Sequence, residues 1–239
     1  MSRQLCFLCL VYLLSTCARA QGDGRWTEKL VDFGIDSMHY LVNYPEGYTA
    51  TDTVRWPLVL FLHGGGEGGD DLETVKRVAL PYEIEQGATY PFVTVAPQNK
   101  LTRGFWDIRG LDYLLDQVLE QENVDPDRVY LTGFSRGALG AWMLAMQTPE
   151  RFAALVPLAG AVPRAYHVWI PQDLPIWIFH GTDDTYVPLS ESLDFYEILL
   201  GKGMEPKPKL TVYEGMGHNP HVRAYRDAEM WAWLLGQRR

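Results

Sequence analysis

The fold turns on "GFSRGALGAW", residues 133–142. A serine, Ser135, stands between Gly133 and Gly137, each two residues away. An apolar run, Val129-Tyr130-Leu131-Thr132, precedes it, and an alanine-rich stretch of helical character begins at Arg136. Strand, sharp turn, helix is the reading that follows. Small residues flank the serine because bulky ones would strike the strand and helix that pass beside so tight a turn, and Gly133, Gly137, Ala138 and Gly140 supply the clearance.

Outward from this junction the same alternation repeats. Short apolar runs predict strands over residues 38–43, 58–62, 92–96, 129–132, 154–158, 176–179 and 209–213. Several are unbroken Val/Ile/Leu/Phe runs, the pattern of strands buried on both faces. Helices are predicted over 71–86, 107–121, 136–146, 189–200 and 225–235. In the second, Leu111, Leu114, Leu115, Val118 and Leu119 recur at helical spacing and form one apolar face. Gly201 and Gly203 follow the fourth, where a helix stop is expected. No linker divides the chain. These elements predict one α/β domain over residues 21–239, a mostly parallel sheet with helices on both faces.

Residues 1–20 are of another kind. They carry an early Arg3, an apolar run over 5–14 and a small-x-small pattern at Ala18-Arg19-Ala20. That is the anatomy of a signal peptide, too short for a membrane span, and predicts a secreted or periplasmic protein. Leu14-Ser15-Thr16-Cys17 offers a minor alternative, lipoprotein anchoring at Cys17, against which Thr16 is a poor residue before the modified cysteine. Removing the leader takes Arg3 and Arg19 and no acid, so the formal net charge moves from −9 to −11. It also takes all three cysteines, Cys6, Cys9 and Cys17, which leaves neither disulfides nor a thiolate metal site. So acidic a chain is not expected to bind nucleic acid or to dock on anionic membranes.

Ligands of open parallel sheets collect at the carboxyl ends of the strands. Four polar segments fall at such ends: His63-Gly64-Gly65-Gly66, Ser135, the pair Asp183-Asp184, and His218. A serine hydroxyl is a weak nucleophile that needs a base, and the base needs a carboxylate to fix its tautomer. Serine, acid, histidine is the order found here, with either aspartate eligible as the acid. The helix that starts after Ser135 directs its first amides at the same point, a place suited to developing negative charge. The glycine run lacks the Gly-Lys-Ser/Thr ending of a phosphate loop, and no His/Cys/Asp/Glu cluster has ligand spacing, so neither cofactor nor metal is expected. Loop-fixing hydrogen bonds are the expected work of His63 and His180.

The stretches "LVLFLHGGGEGG", "DPDRVYLTGFSRGALGAW", "PERFAALVPLAGA", "IWIFHGTDDTYVP" and "LTVYEGMGHN" together resemble small secreted α/β-hydrolases of the esterase group, which includes carboxylesterases, feruloyl and acetyl-xylan esterases and dienelactone-hydrolase-like proteins. The likeness spans residues 57–221. It implies a single-domain α/β-hydrolase fold and a serine carboxylic ester hydrolase, with feruloyl or acetyl esters of plant polysaccharides as substrates. In the family's His-Gly-x-x-Asp-x-x-Val-Pro pattern the acid is Asp184, with Asp183 a turn neighbour. The resemblance thus implies Ser135 as nucleophile, His218 as base and Asp184 as its orienting acid. The oxyanion hole would use the backbone N–H of Arg136 and one from Gly65 or Gly66. His221 is expected on a solvated face or the pocket rim, and Trp106 as a pocket wall. Activity carried by a histidine base falls as the medium acidifies below about 6.5, the ordinary imidazole range.

Three places depart from the family pattern: Arg136, Gly68 after Glu67 where an arginine is frequent, and Asn219-Pro220-His221 where an aromatic often stands. Relatives often carry an apolar residue after the serine, where this chain has Arg136. A cation in a helix's first turn opposes the macrodipole by about 0.3–1 kcal/mol. Either an ion pair with a neighbouring acid or contact with a polar or acidic part of a substrate would offset it. Between Ala159 and Leu174 only 14 residues intervene, too few for a helical lid, so an open or shallow cleft is expected. The other readings are a serine peptidase acting on short peptides and a non-catalytic hydrolase-shaped binding domain.

Overall fold

The computed structural model describes residues 25–51 and 53–239; the expected leader, Cys17 included, lies outside the described residues. Among these, eight strands form one sheet in the order β1 (Thr27–Asp32), β2 (Ser37–Asn43), β4 (Val93–Pro97), β3 (Trp56–Leu62), β5 (Val124–Phe134), β6 (Ala154–Leu158), β7 (Trp177–Gly181) and β8 (Lys209–Tyr213). β1, β2 and β4 pair antiparallel, and from β4 to β8 every pairing is parallel. The helices are α1 (Ala79–Glu85), α2 (Ile108–Gln121), α3 (Arg136–Gln147), α4 (Leu189–Gly201), α5 (His221–Ala224) and α6 (Ala228–Leu235).

Alternation along the buried strands builds two cores. Leu58, Leu60 and Leu62 of β3 face one way, toward Leu111 and Leu114 of α2, Trp142 of α3 and Phe195 of α4. Val59 and Phe61 face the other, toward Leu80 of α1, Tyr225, and Trp231 of α6. Period-two side-chain geometry with apolar residues at every position is what a sheet covered on both faces requires. Each large side chain so buried contributes about 1.5–3 kcal/mol.

Three expectations are corrected. The helix predicted over 71–86 is two pieces, a 3₁₀ turn at Leu72–Arg77 and α1, broken where Val78 is extended and Ala79 turns to φ +55°. Pro81 accounts for the break: a continuous helix would lack one N–H there and press the ring on the Arg77 carbonyl. The helix predicted over 225–235 starts at Ala228, because Asp227 caps it by accepting from the N–H groups of Glu229 (2.8 Å) and Met230 (3.4 Å). Sequence reading missed β1. It is an edge strand of charged and half-exposed residues, Thr27-Glu-Lys-Leu-Val-Asp32, with no apolar run to announce it.

Candidate active site

Ser135 sits at φ +56°, ψ −119°, between β5 and α3. A non-glycine residue held there costs about 1–3 kcal/mol, which the surroundings must impose. They do so by close approach. A Cβ on Gly133 would lie 2.3 Å from the Gly137 carbonyl oxygen, and one on Gly137 would lie 1.9 Å from that of Leu62. The Ser135 N–H donates to Leu158 O (2.8 Å), which ties the turn to β6.

The loops after β7 and β8 bring the other two groups to this serine. A Cβ on Gly181 would lie 2.1 Å from Met216 O, so the two loops run in contact. Asp183 N–H donates to Met216 O (2.9 Å) and Gly215 N–H to Thr182 Oγ1 (2.8 Å). Asp184 is buried and turns one oxygen, Oδ1, to the N–H groups of Tyr186 and Val187, each at 2.9 Å. Its Oδ2 lies 2.6 Å from His218 Nδ1, and His218 Nε2 lies 2.8 Å from Ser135 Oγ. A carboxylate can only accept, so Nδ1 carries the proton and Nε2 offers its lone pair to the serine hydroxyl. The row is complete. It can deprotonate Ser135 while Asp184 stabilises the imidazolium that forms.

Supporting residues that sequence reading assigned loosely are now specific. His180 Nε2 donates to Val187 O (2.9 Å) and also lies 3.2 Å from Asp184 Oδ2, so it holds the acid's loop and adds an N–H near its second oxygen. His63 accepts the Asn99 N–H at Nε2 (2.9 Å) and donates from Nδ1 to Gly64 O (2.8 Å). Burial pushes His63 down to about 4, so it stays a neutral loop clasp. Asp183 is a turn neighbour that accepts from Thr182 Oγ1 at 2.7 Å.

His221, expected on a solvated face or the pocket rim, is half-buried. Its ring packs 4.3 Å from that of Phe134, its Nδ1 is buried with no hydrogen bond, and burial, with His218 nearby, lowers it to about 4. Phe134, absent from the expected site, touches both histidines: its ring centroid is 5.0 Å from that of His218. Its position before the serine was the available signal. Among the described residues no hydrogen bond links the backbone N–H of Gly65, Gly66 or Arg136 to a protein acceptor.

Trp106 is buried, its ring 4.7 Å from that of His63, and it walls a cleft of about 330 Å³ beside α3. The segment after β6 holds a 3₁₀ turn, Arg164–Trp169, in place of a lid. Arg136 departs from the ion-pair expectation: among the described residues no carboxylate lies within 4 Å of it, and its Nη1 donates to Leu101 O at 2.9 Å. No cluster of three or more potential metal ligands occurs among the described residues.

The model of the phospholipase/carboxylesterase family matches residues 78–232. The chain is 33% identical over 135 residues to the bifunctional acetylxylan esterase/xylanase XynS20E of Neocallimastix patriciarum, covering 54% of this chain and 19% of that protein. It is 29% identical over 170 residues to the probable feruloyl esterase C of Aspergillus terreus, covering 68% of this chain and 62% of that one. The matches thus span less than two thirds of either relative. Among solved structures, a thermostable esterase superposes with a TM-score of 0.75 at 27% identity, over 90% of this chain and 64% of the other. A ferulic acid esterase superposes at 0.67 and 16% identity, over 87% and 98%, a likeness of fold.

Proposed function

The chain belongs to the phospholipase/carboxylesterase family, with the α/β-hydrolase fold, and from that premise we propose that it is a serine carboxylesterase. The hydrogen-bonded row of Ser135, His218 and Asp184 carries this reading. Ser135 Oγ attacks the ester carbonyl as His218 Nε2 takes its proton. The tetrahedral intermediate places its oxyanion against the N–H of Arg136 and that of Gly65, with Gly66 the second candidate from the loop. The unengaged state of these donors supports that role. One such donor is worth about 2.7–4 kcal/mol to the transition state. His218 then returns the proton to the leaving alcohol, and the acyl group stays on Ser135. Water, deprotonated by His218, releases the acid and restores the serine.

The substrates are carboxylic esters carried on small molecules or on polysaccharides, feruloyl or acetyl esters of plant polysaccharides in particular. Both named relatives support that class, and the lidless cleft suits a bulky alcohol part. The protein is exported by the leader over residues 1–20; among the described residues no helix is long and apolar enough to cross a membrane.

Purified protein is assayed on p-nitrophenyl acetate and methyl ferulate beside Ser135→Ala. The expected loss in the variant is on the order of 10⁴-fold or more in kcat. Equal rates in the two proteins would end the reading.

A further inference from the structure

The side chain of Arg136 has no work in the row just described, and it is poorly satisfied where it stands. Burial lowers its pKa, with Glu67 opposing that shift. Nη1, the exposed edge of the guanidinium, donates to a neutral carbonyl, that of Leu101. Nε and Nη2 are covered by protein and make no hydrogen bond. Glu67 is the acid that interacts with it electrostatically, and it is not in contact; burial raises that carboxyl, while backbone amides and Arg136 hold it down. A cation partly removed from water, without a bonded anion, at the start of a helix whose dipole opposes it, is stabilised by any anion that arrives.

A cleft of about 330 Å³ has this residue in its lining. Arg136, Leu139, Gly140 and Met143 line it along one face of α3, starting next to Ser135. Trp106 and Tyr166 wall it. The Trp106 ring lies so close to the helix that a Cβ on Gly140 would fall 2.5 Å from its Cδ1. An apolar slot with one arginine in its lining, next in sequence to Ser135, has a definite complement, a hydrocarbon body that bears an anion.

We infer that this cleft is a carboxylate-selecting subsite: the enzyme prefers esters whose apolar acid part also carries a free carboxylate, held by the exposed edge of Arg136. This rests on the esterase reading and narrows its substrate class. A guanidinium meets a carboxylate with charge-assisted hydrogen bonds, and such contacts are worth about tenfold or more in affinity.

The test compares two matched esters, 4-nitrophenyl hydrogen adipate and 4-nitrophenyl hexanoate, and reads the ratio of their kcat/KM values within each protein. Taking the ratio cancels any effect on the oxyanion donors. In the wild type the ratio favours the adipate by about tenfold or more and shrinks in 0.5 M salt, where the Debye length is a little under half that at 0.1 M. Arg136→Gln abolishes the preference and Arg136→Lys keeps part of it. Glu67→Gln raises it, because a competing carboxylate is gone. An unchanged ratio in Arg136→Gln overturns the inference. So does a variant that merely melts earlier and is rescued by Glu67→Gln, which would make Arg136 the structural partner of that acid. Calorimetric titration of Ser135→Ala protein with monomethyl adipate reads binding without turnover. Heat that vanishes when Arg136→Gln is added supports the subsite even if the wild type hydrolyses neither ester, an outcome that would sink the esterase reading alone. No heat from monomethyl adipate, or equal heat with and without Arg136, overturns the subsite.

Discussion

The two ends of the parallel strands make opposite use of similar space. At the amino ends of β6, β7 and β8 lies a cleft of about 610 Å³, larger than the one beside α3. Prolines 149, 171, 175 and 206 line it together with Glu150 and Asp173, and no serine, histidine or cysteine does. At the carboxyl ends the space is smaller, and here the chain accepts strain: Ser135 at φ +56° and Ala159 at φ +46° both follow strands there. Here too it buries an aspartate whose oxygens are each engaged. Volume does not mark the functional end. Strained backbone at converging strand ends and a carboxylate held by specific donors do, because such strain gathers where a site must be held in one geometry.

Several changes would sharpen or break this contrast. The largest effect among these changes is expected from Asp184→Asn, which keeps the shape but offers Oδ1 and Nδ2 in place of two acceptors. His218 then loses the partner that fixes its Nδ1–H tautomer, and kcat falls on the order of 10³–10⁴-fold in steady-state assays with KM little changed. A loss below tenfold would mean that the aspartate only builds the loop.

A smaller effect concerns pH. Burial holds His63 and His221 each at about 4 in the fold, against 6.5 when exposed. Below about 6.5 the unfolded chain takes up protons that the folded chain refuses, so their contribution to stability is present above that pH and is lost as pH falls toward about 4. Asp125, whose carboxyl is lowered through Arg128, Arg238 and a backbone amide against the effect of burial, adds a loss in the same direction at more acidic pH. Glu67, raised by burial, acts in the opposite sense. Thermal melts from pH 7.5 to 4.5 are expected to show Tm falling, with a shallower slope in His221→Asn. Identical slopes would place His221 in water after all.

The smallest effect belongs to the other end. Glu150→Ala and Asp173→Ala, both at the amino-end cleft, are expected to leave kcat/KM unchanged and to shift stability by no more than about 0.5 kcal/mol in denaturant titrations. A tenfold loss of activity from either would erase the distinction between the two ends.

How much of this was legible beforehand follows from what each residue depends on. Ser135 and His218 could be read because each ends a strand-like run, and a parallel sheet brings such ends to one edge whatever the register. Choosing Asp184 over Asp183 needed the family pattern, since either could follow β7; in the fold Oδ2 of Asp184 faces His218, while Asp183 accepts from Thr182. Strand β1 was illegible because an edge strand needs no apolar run. The break at Ala79 could have been anticipated from Pro81. The surroundings of Arg136 and His221 could not. Leu101 bonds Arg136, Glu67 acts on it through space and Phe134 packs on His221 only once segments distant in sequence have folded together, and no local spacing encodes that.

In the proposed reaction one hydroxyl, activated by His218, forms the covalent intermediate. The most direct measurement is peptide mapping by mass spectrometry after exposure to a fluorophosphonate probe. A single adduct is expected, on the peptide that contains Ser135, absent from Ser135→Ala and slowed by orders of magnitude in His218→Ala. Ester turnover that persists while Ser135 stays unlabelled, or an adduct on another residue, would contradict it.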